Sequence, residues 1–354
     1  MLLFILLIVF VCALSSKKSK PLALFIMTLT WALFAFNYDN PDYENYVAKF
    51  NNVSSWFGIF SQGISDVGFG LIMRWFYVIG VPDYYHFKII VSGILLLSYF
   101  YFSTKNIKYC AYWSFLYFTF YAILDVTQFR NFVGFSLVMT LFPLLEKDNL
   151  KSIILFLIGV FFASTIHFSM SFFLIMGLRL VKKKHSRILL IALSVVAIFT
   201  MRDSLFGSLQ ESSYYNKVDD YTRTSMLGAL VTTTLFVANY FLIHYYYLHG
   251  KKKNRVNGKD IQTITQELSI INRLALYMLI LIPFVFINSM PVRILRFASI
   301  IEIGYMMNYA FLTDNRERKK ILTICFFIAL FFFVWTAGGA TEGLKHNYLI
   351  EFLL

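Results

Sequence analysis

Charged residues are scarce in this sequence. They make up 14% of its 354 residues, whereas 58% of the residues are hydrophobic. Soluble domains usually have about 25% charged and about 45–50% apolar residues. A chain with so few charges cannot cover a water-facing surface with polar groups, so its excess apolar surface must face lipid. A soluble globular fold is therefore excluded.

Cysteines are few, and the motifs of several enzyme classes are missing. Cys12, Cys110 and Cys325 each lie within an apolar run, which argues against a disulfide framework or a cysteine metal site. The sequence has no HExxH, GxSxG, Walker or GxGxxG motif, so metalloproteases, serine hydrolases, nucleotide-driven pumps and dinucleotide enzymes are unsupported. We predict no metal and no cofactor, and we expect a substrate that already carries its leaving group.

Long apolar runs, by contrast, fill most of the chain. Together they predict an all-α fold, a single polytopic transmembrane domain over residues 1–354 with about 12 membrane-spanning helices. The first run is expected to be a retained span, because basic residues follow it instead of preceding it. The runs lie at 2–14, 21–37, 87–103, 109–125, 131–145, 152–166, 168–181, 188–201, 226–248, 270–288, 294–312 and 321–337.

One further apolar run, residues 67–81, contains Arg74 and is followed by Pro82. If this run lies in the outer face as a re-entrant or interfacial helix, most Lys and Arg residues fall on one side, as the positive-inside rule requires of the cytoplasm. The net charge of +13 then reflects topology, and no nucleic-acid partner is predicted. The resulting long connections are external at 38–86 and 202–225 and cytoplasmic at 249–269. Function is expected on the outer face.

An acidic and aromatic segment follows the second apolar run. Residues 37–46 read NYDNPDYENY, in which Asp42 is placed to begin a short helix that carries Tyr43 and Tyr46. Carboxylates such as Asp39 accept hydrogen bonds from hydroxyl groups, and aromatic rings pack on sugar rings. The segment therefore indicates sugar binding, and a solvated loop with a helix cap is the alternative.

Two cationic or titratable side chains interrupt apolar sequence at the predicted outer ends of spans. Arg130 lies in QFRN, and His167 lies in IHFSM within a long apolar stretch. An arginine in this position usually faces a cavity or a partner, although contact with lipid phosphates is the alternative. His167 is placed to bind a phosphate or transfer a proton, unless a neighbouring helix or interfacial water satisfies it.

The segment SMPVRILRF places Arg293 and Arg296 three residues apart at a helix start. Two guanidinium groups with this spacing form a clamp that suits a pyrophosphate, and lipid headgroup anchoring is the alternative. Glu302 lies about two turns deeper, where an unpaired carboxylate is costly, so we expect it to pair with one of these arginines. The other ionisable residues expected on the outer side are Asp66, Arg74, Arg202, Asp203 and Arg223.

Five segments resemble, in order, the EpsG branch of the Wzy-type bacterial polysaccharide polymerases. They read DNPDYENY, DVGFGLIMRWFYVIG, QFRNFVGFSLVM, LFLIGVFFASTIHFSMSFFL and VRILRFASI, and they cover about residues 37–300. The departures are Asp66, where the family favours Glu, and Asn131, where Gln often follows the arginine.

The resemblance implies a GT-C-like integral membrane glycosyltransferase of the bacterial inner membrane, with its active site facing the periplasm or exterior. Its donor and acceptor would be undecaprenyl-pyrophosphate-linked oligosaccharides, and its product an O-antigen, a capsule or an exopolysaccharide. A nascent chain would move from its carrier onto a newly flipped repeat unit. Membrane lipids, a chain-length regulator and a flippase are the further partners implied.

The residues themselves suggest a mechanism. Arg130, Arg293 and Arg296 would bind the pyrophosphate and stabilise the charge that grows as the anomeric bond breaks, without a metal. His167 would donate a hydrogen bond to this leaving group, and Asp39 or Asp42 would position or deprotonate the attacking hydroxyl. The predicted substrate-binding residues are Tyr43, Tyr46, Asp66, Arg74, Arg223 and Glu302.

Three alternatives stay open. An O-antigen ligase would use the same chemistry with another acceptor, but it should have a larger external loop late in the chain. A flippase or secondary transporter should carry polar residues through the bilayer midplane to both faces. A structural scaffold would not need arginines at the outer ends of its helices.

Overall fold

Helices form almost all of the structure, a computed structural model that describes residues 9, 11–40, 42–60, 67–180, 226–253, 259–285, 290–344 and 346–347. The α-helices are α1 (Lys20–Ala35), α2 (Tyr43–Asn52), α3 (Trp56–Phe60), α4 (Val67–Val78), α5 (Tyr84–Asn106), α6 (Cys110–Phe120), α7 (Ala122–Thr127), α8 (Phe129–Leu141), α9 (Leu150–Ile166), α10 (Met226–Lys253), α11 (Lys259–Met278), α12 (Ile282–Val285), α13 (Met290–Phe311) and α14 (Asn315–Leu344). Stretches of 3-10 helix cover Phe142–Lys147, Phe168–Leu180 and Leu279–Leu281, and the short strands are β1 (Asn37–Asp39) and β2 (His346–Asn347).

Polar caps begin several helices at the connections between apolar runs. Ser19 Oγ accepts a hydrogen bond from the backbone N–H of Leu22 at 3.2 Å at the start of α1. At the start of α5, Asp83 Oδ1 accepts from the backbone N–H of His86 at 2.9 Å. These bonds satisfy backbone N–H groups that have no partner inside the first helical turn.

Four helical stretches are long and apolar enough to cross a membrane: Tyr84–Asn106, Phe129–Lys147, Gly228–Lys251 and Thr263–Leu281. Four shorter apolar stretches, Lys20–Ala35, Val67–Val78, Leu150–Ile166 and Phe168–Leu180, accompany them. The predicted all-α, membrane-embedded class is therefore confirmed, while the number of spans and the GT-C architecture stay predictions. The predicted run at 188–201 and most of the first run lie outside the described residues.

Segments that the charge pattern assigns to the cytoplasm contact one another at one end of the bundle. Lys18 Nζ lies 4.3 Å from the centre of the Phe311 ring. The backbone N–H of Lys108 donates to Asn308 Oδ1 at 2.8 Å, and Asn308 Nδ2 donates to Glu267 Oε2 at 2.8 Å. The connections before α1, after α5 and after α13 are thereby joined to α11.

The ends of α1 and α14 meet through the two short strands. β1 follows α1 and pairs antiparallel with β2, which follows α14, so that Asn37 lies opposite Asn347 and Asp39 opposite His346. Both helices therefore end on the same side of the molecule. In the predicted topology this is the external side, and β1 places the start of the acidic segment there.

The described part of α4 is shorter than a bilayer is thick. Its 12 residues span about 18 Å, against a hydrocarbon thickness of about 30 Å. Arg74 holds it to the preceding segment, because Nη1 donates to the carbonyl oxygens of Val53 and Ser54, both at 2.8 Å, and the guanidinium lies 4.5 Å from the centre of the Trp56 ring. Arg74, which the sequence suggested as a substrate-binding residue, thus anchors the carboxyl end of α2.

Candidate functional site

His167 lies at the junction between α9 and the following 3-10 helix. Its backbone is extended, with φ −152° and ψ 126°, so the helix stops there. The backbone N–H of Ser169 donates to His167 Nδ1 at 3.2 Å, and Ser169 Oγ lies 2.6 Å from the same nitrogen and 3.2 Å from Asn131 Oδ1. These contacts fix the orientation of the imidazole. Because Nδ1 accepts from a backbone N–H, the neutral ring carries its proton on Nε2.

Three basic side chains from separate helices act electrostatically on this histidine. Burial, followed by the charges of Arg130, Arg293 and Lys49, holds the pKa of His167 well below its usual value. We call Lys49, Arg130, His167 and Arg293 the cationic cluster. Its members come from α2, α8, the α9 junction and α13, so residues far apart in sequence share one site. Arg130, His167 and Arg293 were predicted from the sequence, whereas Lys49 was not.

Two glycines let neighbouring helices approach the His167 junction closely. A Cβ atom on Gly68 of α4 would lie 2.2 Å from Thr165 Oγ1 and 2.8 Å from the Thr165 carbonyl carbon. A Cβ on Gly134 of α8 would lie 2.9 Å from Met170 Cγ. α4 therefore contacts the chain just before His167, at Thr165, and α8 contacts it just after His167, at Met170.

Replacing Gly68 with alanine is expected to displace α4 from α9. Because the obstructing atoms include backbone, the neighbour cannot yield by rotating a side chain, and we expect a loss of about 1–3 kcal/mol. The thermal stability of the purified protein should fall. Gly177→Ala is the matched control, because its nearest atoms are the ends of the Leu157 side chain at 3.3 and 3.4 Å. Equal effects of the two variants would contradict the expectation.

Arg296 is buried in an ion pair that the sequence did not predict. It is 1% exposed, and its Nη2 lies 2.8 Å from Oδ1 of Asp125, which is 2% exposed. Tyr117 donates its hydroxyl to Asp125 Oδ2 at 3.0 Å. Arg296 Nε and Nη1 have no hydrogen-bond partner among the described residues. The sequence signal that could have identified Asp125 is the presence of a carboxylate in the otherwise apolar run 109–125.

The prediction that Glu302 pairs with Arg293 or Arg296 is wrong. Glu302 Oε2 accepts a hydrogen bond from Asn239 Nδ2 at 2.7 Å, and Arg296 turns to Asp125 instead. Asn239 lies on α10, a helix far away in sequence. An amide from another helix thus satisfies one oxygen of this buried carboxylate, while Oε1 has no hydrogen-bond partner among the described residues.

The acidic and aromatic segment packs against the start of α5. α2 begins after Asp42, as predicted, but the Asp42 carboxylate makes no capping bond. The ring of Tyr46, which is 6% exposed, stacks on Tyr84 with centroids 5.5 Å apart. Tyr43 lies edge-on to Tyr84 at 5.4 Å, and the ammonium of Lys88 lies 5.1 Å from the Tyr43 ring centre.

Lys88, like Lys49, is a lysine that the sequence did not indicate as functional. It is 1% exposed, and its Nζ donates to the backbone carbonyl of Asn37 at the start of β1. Asp66, Arg223 and the side chain of Asp39 lie outside the described part of the chain. The structure thus brings Arg130, His167 and Arg293 together, keeps Arg296 and Glu302 in separate contacts, and places Tyr43 and Tyr46 in an aromatic group.

The cationic cluster is suited to bind an anion with several oxygens. Guanidinium groups donate pairs of hydrogen bonds to phosphate, and a lysine contributes a compact charge. An imidazole with its proton on Nε2 adds a neutral donor. Within the described residues, no three His, Cys, Asp or Glu side chains are grouped so that they could bind a metal ion.

Comparison with models of known protein families finds a match to the one described as the EpsG family, over residues 20–348. This match covers nearly the whole chain and every described residue of the cationic cluster. Searches of curated proteins and of solved structures found no match.

Proposed function

Because the chain belongs to the EpsG family, we propose that it is a polysaccharide polymerase that acts at the outer face of the bacterial inner membrane. It transfers a glycan chain from undecaprenyl pyrophosphate onto the next lipid-linked repeat unit. The observation that supports this best is the cationic cluster, in which two arginines and a lysine from three helices act electrostatically on one buried histidine.

The chemical demand of this reaction is charge stabilisation on the leaving group. The anomeric carbon–oxygen bond breaks, and its electron pair stays on the pyrophosphate oxygen. The acceptor hydroxyl oxygen forms the new bond to the anomeric carbon, and its proton moves to a carboxylate. Arg130, Arg293 and Lys49 bind the pyrophosphate and stabilise the charge that develops on it. This scheme needs no metal ion.

His167 acts as a neutral hydrogen-bond donor in this proposal. Its Nδ1 accepts from the Ser169 N–H, so Nε2–H is the group left to donate to a phosphate oxygen. Burial, followed by the charges of the neighbouring cations, lowers the pKa of His167, so the ring stays neutral and keeps its Nε2–H donor.

The rate of polymerisation is therefore expected to stay constant as the pH is lowered through 6.5, the ordinary pKa of histidine. The sign follows from the lowered pKa: the neutral, competent ring persists below 6.5 and is lost only at more acidic pH. Initial rates measured against pH test this. Lys49→Gln should move the acid limb to higher pH, because it removes one of the three cations. A wild-type rate that falls with a midpoint near 6.5 would contradict the proposal.

Arg296 has a positioning role in this scheme. Its ion pair with Asp125 fixes α13 against α7, and Arg293 lies one turn earlier on the same helix. The pair thereby sets the direction in which Arg293 approaches His167.

The acceptor side is assigned to the acidic and aromatic segment. Asp39 or Asp42 positions or deprotonates the attacking hydroxyl, and the Tyr43 face of the segment contacts the sugar. Tyr46 supports this surface from within, since it is buried against Tyr84. Asp39→Asn and Asp42→Asn, compared for their pH–rate profiles, identify which carboxylate accepts the proton.

Reconstitution is the direct test. The purified chain in liposomes receives a synthetic undecaprenyl-pyrophosphate repeat unit, with no nucleotide and no other protein. We expect a ladder of longer glycans and release of undecaprenyl pyrophosphate, both unaffected by a chelator. Transfer only in parallel liposomes that also contain a lipid A-core acceptor would indicate a ligase. Movement of the repeat unit across the bilayer without elongation would indicate a flippase.

A further inference from the structure

An apolar groove lies between α4, α5 and α8, apart from the side chains assigned to the reaction. Its volume is about 570 Å³. Leu71, Trp75 and Ile94 are 41%, 61% and 55% exposed, whereas Val133 at the opposite wall is 4% exposed. The groove therefore has a lipid-facing opening and a closed inner wall. On α4 it is also lined by Ile72 and Phe76.

Two of the three helices that form the groove lead directly to the cationic cluster. On α8, Val133 lies three residues after Arg130, so the two share a helix face one turn apart. On α4, Ile72 lies four residues after Gly68, the position at which α4 touches α9 beside His167. The groove thus begins about one helical turn, roughly 5 Å, from Arg130 on α8, and about one turn from the point where α4 meets Thr165 next to His167.

The arrangement is complementary to an amphiphile with an anionic head and a branched apolar tail. The cluster supplies positive charge, and the groove supplies an entirely apolar wall with an aromatic edge at Trp75 and Phe76. We propose that this groove binds the isoprenoid chain of the lipid pyrophosphate whose head lies in the cationic cluster. The inference rests on the function proposed above and adds to it the site of the substrate's tail.

A tail site of this kind would orient the donor. With the chain bound between α4 and α8, the pyrophosphate is delivered to Arg130 from the membrane side, which leaves the sugar to point toward the acidic segment at β1 and α2. Binding energy from the unreactive tail then contributes to placing the anomeric carbon. It also gives the interfacial helix α4 a role, as the outer wall of the groove.

Photolabelling of the full chain in phosphatidylcholine nanodiscs tests the proposal. The probe is a short isoprenyl pyrophosphate whose far end carries a benzophenone, and labelled residues are mapped by mass spectrometry. We expect label on the lining residues of α4 and α5, displaced by unlabelled undecaprenyl pyrophosphate. Ile94→Trp should lower this labelling about tenfold, a factor that corresponds to about two methylene groups no longer buried.

Ile154→Trp is the matched control, since Ile154 is 42% exposed on α9 and does not line the groove. Label spread evenly over lipid-facing helices, displacement by phosphatidylglycerol, or an equal loss in both variants would overturn the groove assignment. Glycan transfer is measured in the same samples with a donor of one isoprene unit. Transfer from this donor without groove labelling refutes the groove alone, whereas absence of transfer from every donor refutes the proposed function.

Discussion

Arg293→Gln is expected to lower polymer synthesis by about 10²–10³-fold, the usual cost of removing one donor that stabilises a developing anion. Arg293 acts on the same histidine as Arg130 and Lys49, and in the proposed mechanism its charge stabilises the leaving group. Because negative charge grows as the anomeric bond breaks, kcat should fall more than KM rises. The product expected in cells is a single lipid-linked repeat unit in place of long polymer.

Arg316→Gln is the control for this variant. Arg316 is exposed at the start of α14, near the segments that contact one another at the opposite end of the bundle. Both variants replace an arginine of the same membrane protein with glutamine, so general effects on expression and insertion are matched. Similar polymer yields from Arg293→Gln and wild type, at equal protein abundance, would remove Arg293 from the mechanism.

The sequence was sufficient to predict three members of the cationic cluster. Arg130, His167 and Arg293 each interrupt apolar sequence next to a predicted span, where a polar group is costly unless it has a function. Lys49 gave no such signal, because a lysine near the end of a short, mixed helix is an ordinary solvated residue. Only the packing of α2 against the bundle brings its charge to His167.

Partner choice was beyond a single sequence. Glu302 was matched to the nearest arginines along its own helix, but its partner is Asn239, 63 residues away, and Arg296 pairs with Asp125, 171 residues away. In a bundle the neighbours of a buried side chain come from other helices, and their rotation and depth depend on contacts that one sequence does not record.

Apolar runs predicted the positions of helices better than their form. The run 109–125 is divided at Tyr121 into α6 and α7, and residues 168–180 form a 3-10 helix. The division turns Asp125 toward Arg296, and the 3-10 stretch follows the extended residue His167. Hydropathy measures only how apolar a segment is, so these local breaks, which shape the site, leave no trace in it.

Asp125→Asn alone is expected to be severely destabilising. It leaves the guanidinium of Arg296, which is 1% exposed, without its counter-charge. Removing one partner of a buried ion pair typically costs about 3–5 kcal/mol. We expect a marked fall in the abundance of folded protein in the membrane and in its melting temperature, with polymer synthesis reduced in proportion. Unchanged abundance and melting temperature would show that the pair does not stabilise the bundle.

The double variant Asp125→Asn, Arg296→Gln separates stability from catalysis. It removes both charges but leaves two amide side chains that can hydrogen-bond to each other. The asparagine at position 125 also keeps an oxygen that can accept from the Tyr117 hydroxyl. The wild-type guanidinium uses only Nη2 in the ion pair, and its Nε and Nη1 have no partner among the described residues, so a neutral pair loses little. Abundance should therefore return, and polymer synthesis with it, because the proposed pyrophosphate ligands Lys49, Arg130 and Arg293 are unchanged. A folded but inactive double variant would instead show that the charges of the pair, and not only a contact between α7 and α13, are needed for activity.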